Sequence, residues 1–470
     1  MLRRHALGLA AAGPVLFGKT LTRLGLKKPP EAWRSLLGSA LRGEPSKFAL
    51  SAFGLRVPAA ELPARFHTFL RTEPEAAYAL TYSAVDTRRH AHDTIDLVEQ
   101  HFDATGVLTR IDVRLDPARP AGLDDTARAA AHDALVTAYR ETARLTEAVR
   151  PRALLRSAAG MLYSDTVPYL CRLTKASCLS VEPMDPARRF EMPHFSQRRG
   201  LGCNVYTFAA RTAGNTADVW GIAHHVGADG VPFQELFTRL ERAWGTEPVV
   251  FPTAGTLYSA RVGHHPGERE VYESLSFHDF APLLRLRKKV NAELGLDVPV
   301  GAFFLWVLAH EPEFAGVRFA STVDVPASPG RERAVDLVPR RPADFDDDLA
   351  AYARSYLDGV AASRARHSPV QRAGDDMAHI PPRLLGALLR ASPDQLAATF
   401  GQVGLSVIRD AKVFVAPLSD VGYPGGFLAI GGVGLPTATG TVGAVSVKGT
   451  REQAEGYPSA VGRALQKCGV

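Results

Sequence analysis

The chain has 470 residues, 46% of them hydrophobic and 22% charged, with a formal net charge of +6. That length exceeds one ordinary core, so two or three domains or two large lobes are expected, in the composition of a folded soluble protein. The basic balance comes from dispersed arginines, which argues against a nucleic-acid partner, and no window approaches eighteen uninterrupted apolar residues, which argues against a transmembrane helix.

Near the start, "GPVLFGKT" (Gly13 to Thr20) matches GxxxxGK[ST] letter for letter. Its variable positions are bulky, Pro14 lacks an N–H, and few residues precede it to make a strand, so the phosphate-loop motif stands without its context. Arg3 and Arg4 before an apolar run also have the look of a secretion signal. The run is short, is followed by Lys19, Arg23, Lys27 and Lys28, and has no clear small-x-small cleavage site. A basic amphipathic helix that lies on the protein or touches a membrane surface is the expectation here.

Residues 1–75 read as a helical extension, and 76–248 as a first α/β lobe. Within that lobe "AYALTYSAVDT" reads as a strand, "AHDTIDLVEQHF" as a helix, "VLTRIDVRLD" as a strand and Asp124 to about Val149 as a long helix. "CNVYTFAART" and "DVWGIAHH" form a strand pair turned at Gly214 and Asn215, followed by a helix from Pro232 to Trp244. Residues 249–270 are rich in Gly, Pro and polar residues and read as a linker. Residues 271–470 then give a strand, two helices, a further strand, and a closing series of strands with Gly/Pro turns before a last helix. Both halves finish as strand, polar connection, amphipathic helix, and only the first carries histidines in the connection.

That connection is "GIAHHVGADG". A strand end leading into a helix holds a side chain rigidly while leaving it reachable. Histidine is the side chain whose ordinary pKa suits proton removal near neutral pH. Each element alone is bland: a lone histidine is usually a satisfied core residue, and Asp-Gly before a helix is an ordinary turn. Together, His224, His225, Asp229 and Gly230 match HHxxxDG. In this motif, in length and in its two-lobe layout, the chain resembles the CoA-dependent acyltransferase superfamily. That group includes chloramphenicol acetyltransferase-like enzymes, 2-oxo-acid dehydrogenase acyltransferases, condensation domains, BAHD acyltransferases and wax ester synthases. The resemblance covers about residues 75 to 465, with the motif as its specific part.

The resemblance implies a two-lobed α/β fold of the chloramphenicol acetyltransferase type, each lobe a mixed sheet with helices, and a channel between the lobes. His225 would be the general base, His224 would pack or orient the connection, Asp229 would hold it through an arginine, and Gly230 would permit tight entry into the helix. The donor would be an acyl-CoA or an acyl-phosphopantetheine on an acyl carrier protein. The acceptor would be a small molecule or lipid bearing a hydroxyl, amine or thiol, and no metal is needed. In "SDVGYPGG", Asp420, Gly422 and Tyr423 share the Asp-x-Gly-aromatic pattern of the BAHD motif DFGWG, and Ser419 is a nominee for the oxyanion. A non-catalytic member that binds a carrier protein or lipid is the alternative.

Other groups fit solvated surface better than chemistry. His90, His92, His264 and His265 lack ligand partners at recognised spacing, and "AHEPEF" stops short of HExxH. The run Arg285, Arg287, Lys288, Lys289 reads as a solvated helix face, with phosphate contact as the rival. Cys171, Cys178, Cys203 and Cys468 have no CxxC or metal-finger spacing and read as reduced thiols, placing the protein in the cytoplasm.

Overall fold

Residues 47–72, 96–102, 108–114, 176–191, 206–224, 230–264, 270–325, 334–345, 348–365, 401–408, 410–415 and 425–468 are described in a computed structural model of this chain. They fall into two units that divide between Val249 and Val250.

The first unit comprises β1 (Lys47–Arg56), α1 (Leu62–Thr72), β2 (Asp96–Phe102), β3 (Leu108–Arg114), β4 (Ala176–Pro183), β5 (Tyr206–Ala213), β6 (Thr216–His224) and α2 (Gly230–Trp244). Its strands lie in the order β1-β6-β5-β4-β2-β3. The β1–β6, β5–β6 and β2–β3 pairs are antiparallel, whereas β4–β5 and β2–β4 are parallel. The β5–β6 turn falls where expected, with Gly214 at a φ of 57°, a conformation glycine adopts at little cost.

The second unit comprises β7 (Leu257–His264), β8 (Glu270–His278), α3 (Ala281–Leu294), α4 (Val300–Ala309), β9 (Phe319–Val325), β10 (Ala334–Arg340), α5 (Leu349–Arg364), β11 (Val403–Ile408), the two-residue β12 (Phe414–Val415), β13 (Phe427–Pro436), β14 (Thr441–Gly449) and α6 (Arg451–Lys467). Its sheet runs β10-β9-β11-β13-β14-β8-β7. Strand for strand this repeats the first sheet: β8, β14, β13, β11, β9 and β10 take the places of β1, β6, β5, β4, β2 and β3. Parallel and antiparallel pairs match throughout. Both sheets are mixed and carry helices, so the fold is α/β. In this unit α4 is apolar nearly all round, as "VGAFFLWVLA" requires, and Phe303, Phe304, Leu305 and Leu308 are buried in a core shared with α5, α6 and the sheet.

Three readings from the sequence are corrected. The stretch 1–75 contains β1, a strand of the first sheet, and only α1 among its described residues is helical. Phe48 to Leu55 are buried without alternation, and a strand covered on both faces cannot be told from a helix by periodicity. "DLVEQHF" is β2, which pairs with β4 from Asp96 and with β3 from Leu97, and tertiary pairing overrides the helical reading. The stretch 249–270 holds β7, paired with β8 and therefore part of the second unit. The strand expected near "AYALTYSAVDT", the helix from Asp124 and the Gly13 to Thr20 segment lie outside the described residues.

Candidate active site

The motif begins where β6 ends. In this part of the sheet β6 has an antiparallel neighbour on each side, with Lys47 of β1 opposite His224 and Tyr206 of β5 opposite Ala223. The backbone is therefore fixed up to His224, the last residue of the strand, and resumes at Gly230, the buried first residue of α2. The intervening residues 225–229, with His225 and Asp229, lie outside the described residues, as does the side chain of His224. Ser419, Asp420, Gly422 and Tyr423 also lie outside them.

What holds α2 against the strand is aromatic. A Cβ on Gly221 would stand 2.6 Å from Phe237 and 2.9 Å from Phe233, so this glycine lets the helix seat directly on β6, three residues before the motif's first histidine. Phe233 meets Phe237 edge-on at 5.3 Å and Phe48 of β1 at 5.6 Å. Phe233, Leu236, Phe237 and Leu240 are all buried, each worth about 1.5–3 kcal/mol. Both flanks of the connection thus belong to one packed layer.

The other end of the hairpin is held by charge. Asp218, fully buried in β6, accepts from Arg189 Nε at 2.6 Å, from Arg189 Nη2 at 2.9 Å and from the Gly54 N–H at 2.7 Å. Its cross-strand neighbour Arg211 donates to Glu182 at 2.8 Å and to the carbonyls of Arg188, Arg189 and Glu191. Together they pin the turn after β4 to the sheet. The resemblance implies an aspartate–arginine pair at Asp229, which lies outside the described residues; Asp218–Arg189 is a separate buried pair on the strand that leads into the motif. Its one signal in the sequence was an aspartate inside the apolar run Ala217 to Ala223.

The second unit makes the equivalent junction differently. β14 passes into α6 through Thr450 alone, whose Oγ1 accepts from the Gln453 N–H while Gln453 Oε1 accepts from the Thr450 N–H, a reciprocal capping box. Beside it, Tyr457 of α6 donates to the Gly425 carbonyl at 2.8 Å, fixing the end of the "SDVGYPGG" segment. Glu273 of β8 and Lys448 of β14 oppose each other with Nζ 3.9 Å from Oε2. Burial pushes the Glu273 carboxyl up to about 7 against the pull of Lys448, and it pushes the Lys448 amine down. His278, on the same strand, makes a 2.7 Å hydrogen bond with Ser276 Oγ and is held by burial at about 4.

Among the described residues no group of histidines, cysteines and carboxylates could hold a metal ion, and no helix is long and apolar enough to cross a membrane. Glu311 of "AHEPEF" is engaged by Arg463 at 3.0 Å and by Lys467 at 2.5 Å. In the basic run of α3, Arg287 bonds Asp297 and the Val298 carbonyl, while Arg285, Lys288 and Lys289 are exposed. Burial pushes the Cys468 thiol up to about 11, which keeps it protonated. His90, His92, His265, Cys171 and Cys203 lie outside the described residues.

No protein-family model matches this chain, and no curated protein does. Among solved structures it is similar to the trichothecene 15-O-acetyltransferase TRI3 from Fusarium sporotrichioides, at 9% identity and a TM-score of 0.45 over 93% of this chain and 94% of that one. It is similar to F. sporotrichioides TRI101 complexed with coenzyme A and T-2, at 10% identity and a TM-score of 0.42 over 90% and 95%. It is likewise similar to the condensation domain of the monacolin K polyketide synthase MokA, at 10% identity and a TM-score of 0.43 over 94% and 98%.

Proposed function

We propose that this chain is an acyltransferase of the CoA-dependent superfamily, moving an acyl group from a CoA or carrier-protein thioester to a hydroxyl, amine or thiol. The observation that carries the reading is HHxxxDG at a strand-to-helix junction, with β6 ending at His224 and α2 beginning at Gly230. His225 takes the acceptor's proton as the acceptor atom attacks the thioester carbonyl carbon. The tetrahedral oxyanion then collapses, the C–S bond breaks, and the departing thiolate recovers the proton from His225. Asp229 holds the connection in shape and Ser419 offers a hydroxyl to the oxyanion.

The test is a panel of acyl thioesters scored by thiol release, on the parent chain and on His225→Ala. The parent should release thiol, with a rate that falls at acid pH as the imidazole takes a proton and can no longer accept one. His225→Ala should lose roughly 100- to 10,000-fold in turnover with its melting temperature nearly unchanged. A variant keeping more than about half the parent rate would reject the general-base role, since that lies far below the expected range. A parent inactive on every thioester that still retains a carrier protein would favour the non-catalytic alternative.

A further inference from the structure

Arg340 ends β10, the edge strand of the second sheet, and is 5% exposed. Its guanidinium lies over the ring of Tyr356 at 5.1 Å and near that of Tyr352 at 5.9 Å. Both rings are fixed: Tyr352 donates to the Ala302 carbonyl at 3.0 Å and Tyr356 to Ser321 Oγ at 2.9 Å. Gly359 of α5 permits the approach, because a Cβ there would stand 2.8 Å from Nη2. Nη1 donates to Ser355 Oγ at 3.1 Å and Nη2 to the Ser355 carbonyl at 2.8 Å. Among the described residues the buried Nε–H has no acceptor.

No carboxylate among the described residues pairs with this cation. Asp344 is taken by Arg341 and Asp348 by the first turn of α5. Aromatic faces offset part of the cost of a buried cation, but they leave its charge uncompensated and N–H groups of the planar fork unused. That fork matches the two oxygens of a carboxylate or phosphate. Ser355 is exposed, and its hydroxyl proton remains available while its oxygen accepts from Arg340.

We infer that the seam between β10 and α5 is a binding site for a small oxyanion, held by Arg340 and Ser355. The test is thermal unfolding of the full chain in about 10 mM inorganic phosphate, acetate or chloride at matched ionic strength, with expected shifts of about 2 °C or more. Phosphate or acetate should raise the melting temperature above chloride, and whichever does so identifies the ligand chemistry. Arg340→Met, which fills the aromatic cage without charge, should abolish the difference. Should that variant fail to fold, Ser355→Ala, exposed and conservative, should at least halve the response. Equal melting temperatures in the three anions, or an undiminished response in Arg340→Met, would overturn the site. So would an anion response that appears only after Asp346→Asn or Asp347→Asn, since the chain's own carboxylate would then supply the counter-charge.

Discussion

Asp218 and Gly221 do opposite work within one strand. Gly221 yields space to Phe233 and Phe237, and Asp218 gathers Arg189 and the Gly54 N–H. Asp218→Ala should leave the buried end of this cluster unpaired and lower stability by about 3 kcal/mol, the lower end for broken buried pairs because Arg189 keeps some solvent contact. Urea unfolding measures it, and a loss below about 0.5 kcal/mol would show the cluster to be dispensable. HHxxxDG can be picked out of a sequence because its fixed positions are local. The cluster cannot, because Gly54, Glu182, Arg189 and Asp218 are brought together only by the sheet, and an arginine in a sequence does not announce which carboxylate it will meet.

Elements whose signal is internal to them were read correctly. The β5–β6 hairpin follows from its turn, and α2 from the helical spacing of Phe233, Leu236, Phe237, Leu240 and Trp244. β1 and β2 were misread because what makes them strands is the neighbours they pair with, β6 for one and β3 with β4 for the other. The strand-to-helix junction before α6 is closed by its own side chains. Thr450→Ala removes the hydroxyl that accepts from Gln453, and should cost about 1 kcal/mol. Thiol-release activity should be unchanged, because Thr450 has no part in the proposed chemistry. A drop in activity larger than the drop in folded fraction would contradict that separation.

For the whole molecule, the division near residue 250 and the similar endings of the two halves could be anticipated, but the shared wiring could not. Its parallel pairs join strands far apart in sequence, and local pattern does not encode them. One consequence concerns stability against pH. His278 is depressed from 6.5 to about 4, so the unfolded chain takes up a proton that the folded chain refuses, and stability falls as pH drops through that window. The full effect is about 3 kcal/mol. Glu273 is raised from 4.5 to about 7, so the folded chain keeps a proton that the unfolded chain releases, and stability falls as pH rises through that window. Between pH 4.5 and 6.5 the two slopes oppose each other. Urea titrations should give a shallow profile there for the parent, a steeper acid loss for Glu273→Gln, and a loss toward neutral pH for His278→Gln. Parallel profiles for all three would contradict the assignment. The single-residue link at Thr450 carries a different implication. A chain that draws the same diagram twice can let one copy guard the fold and leave the other free to diverge. The two copies already differ in length at this point, with five residues between His224 and Gly230 where Thr450 alone stands between Gly449 and Arg451.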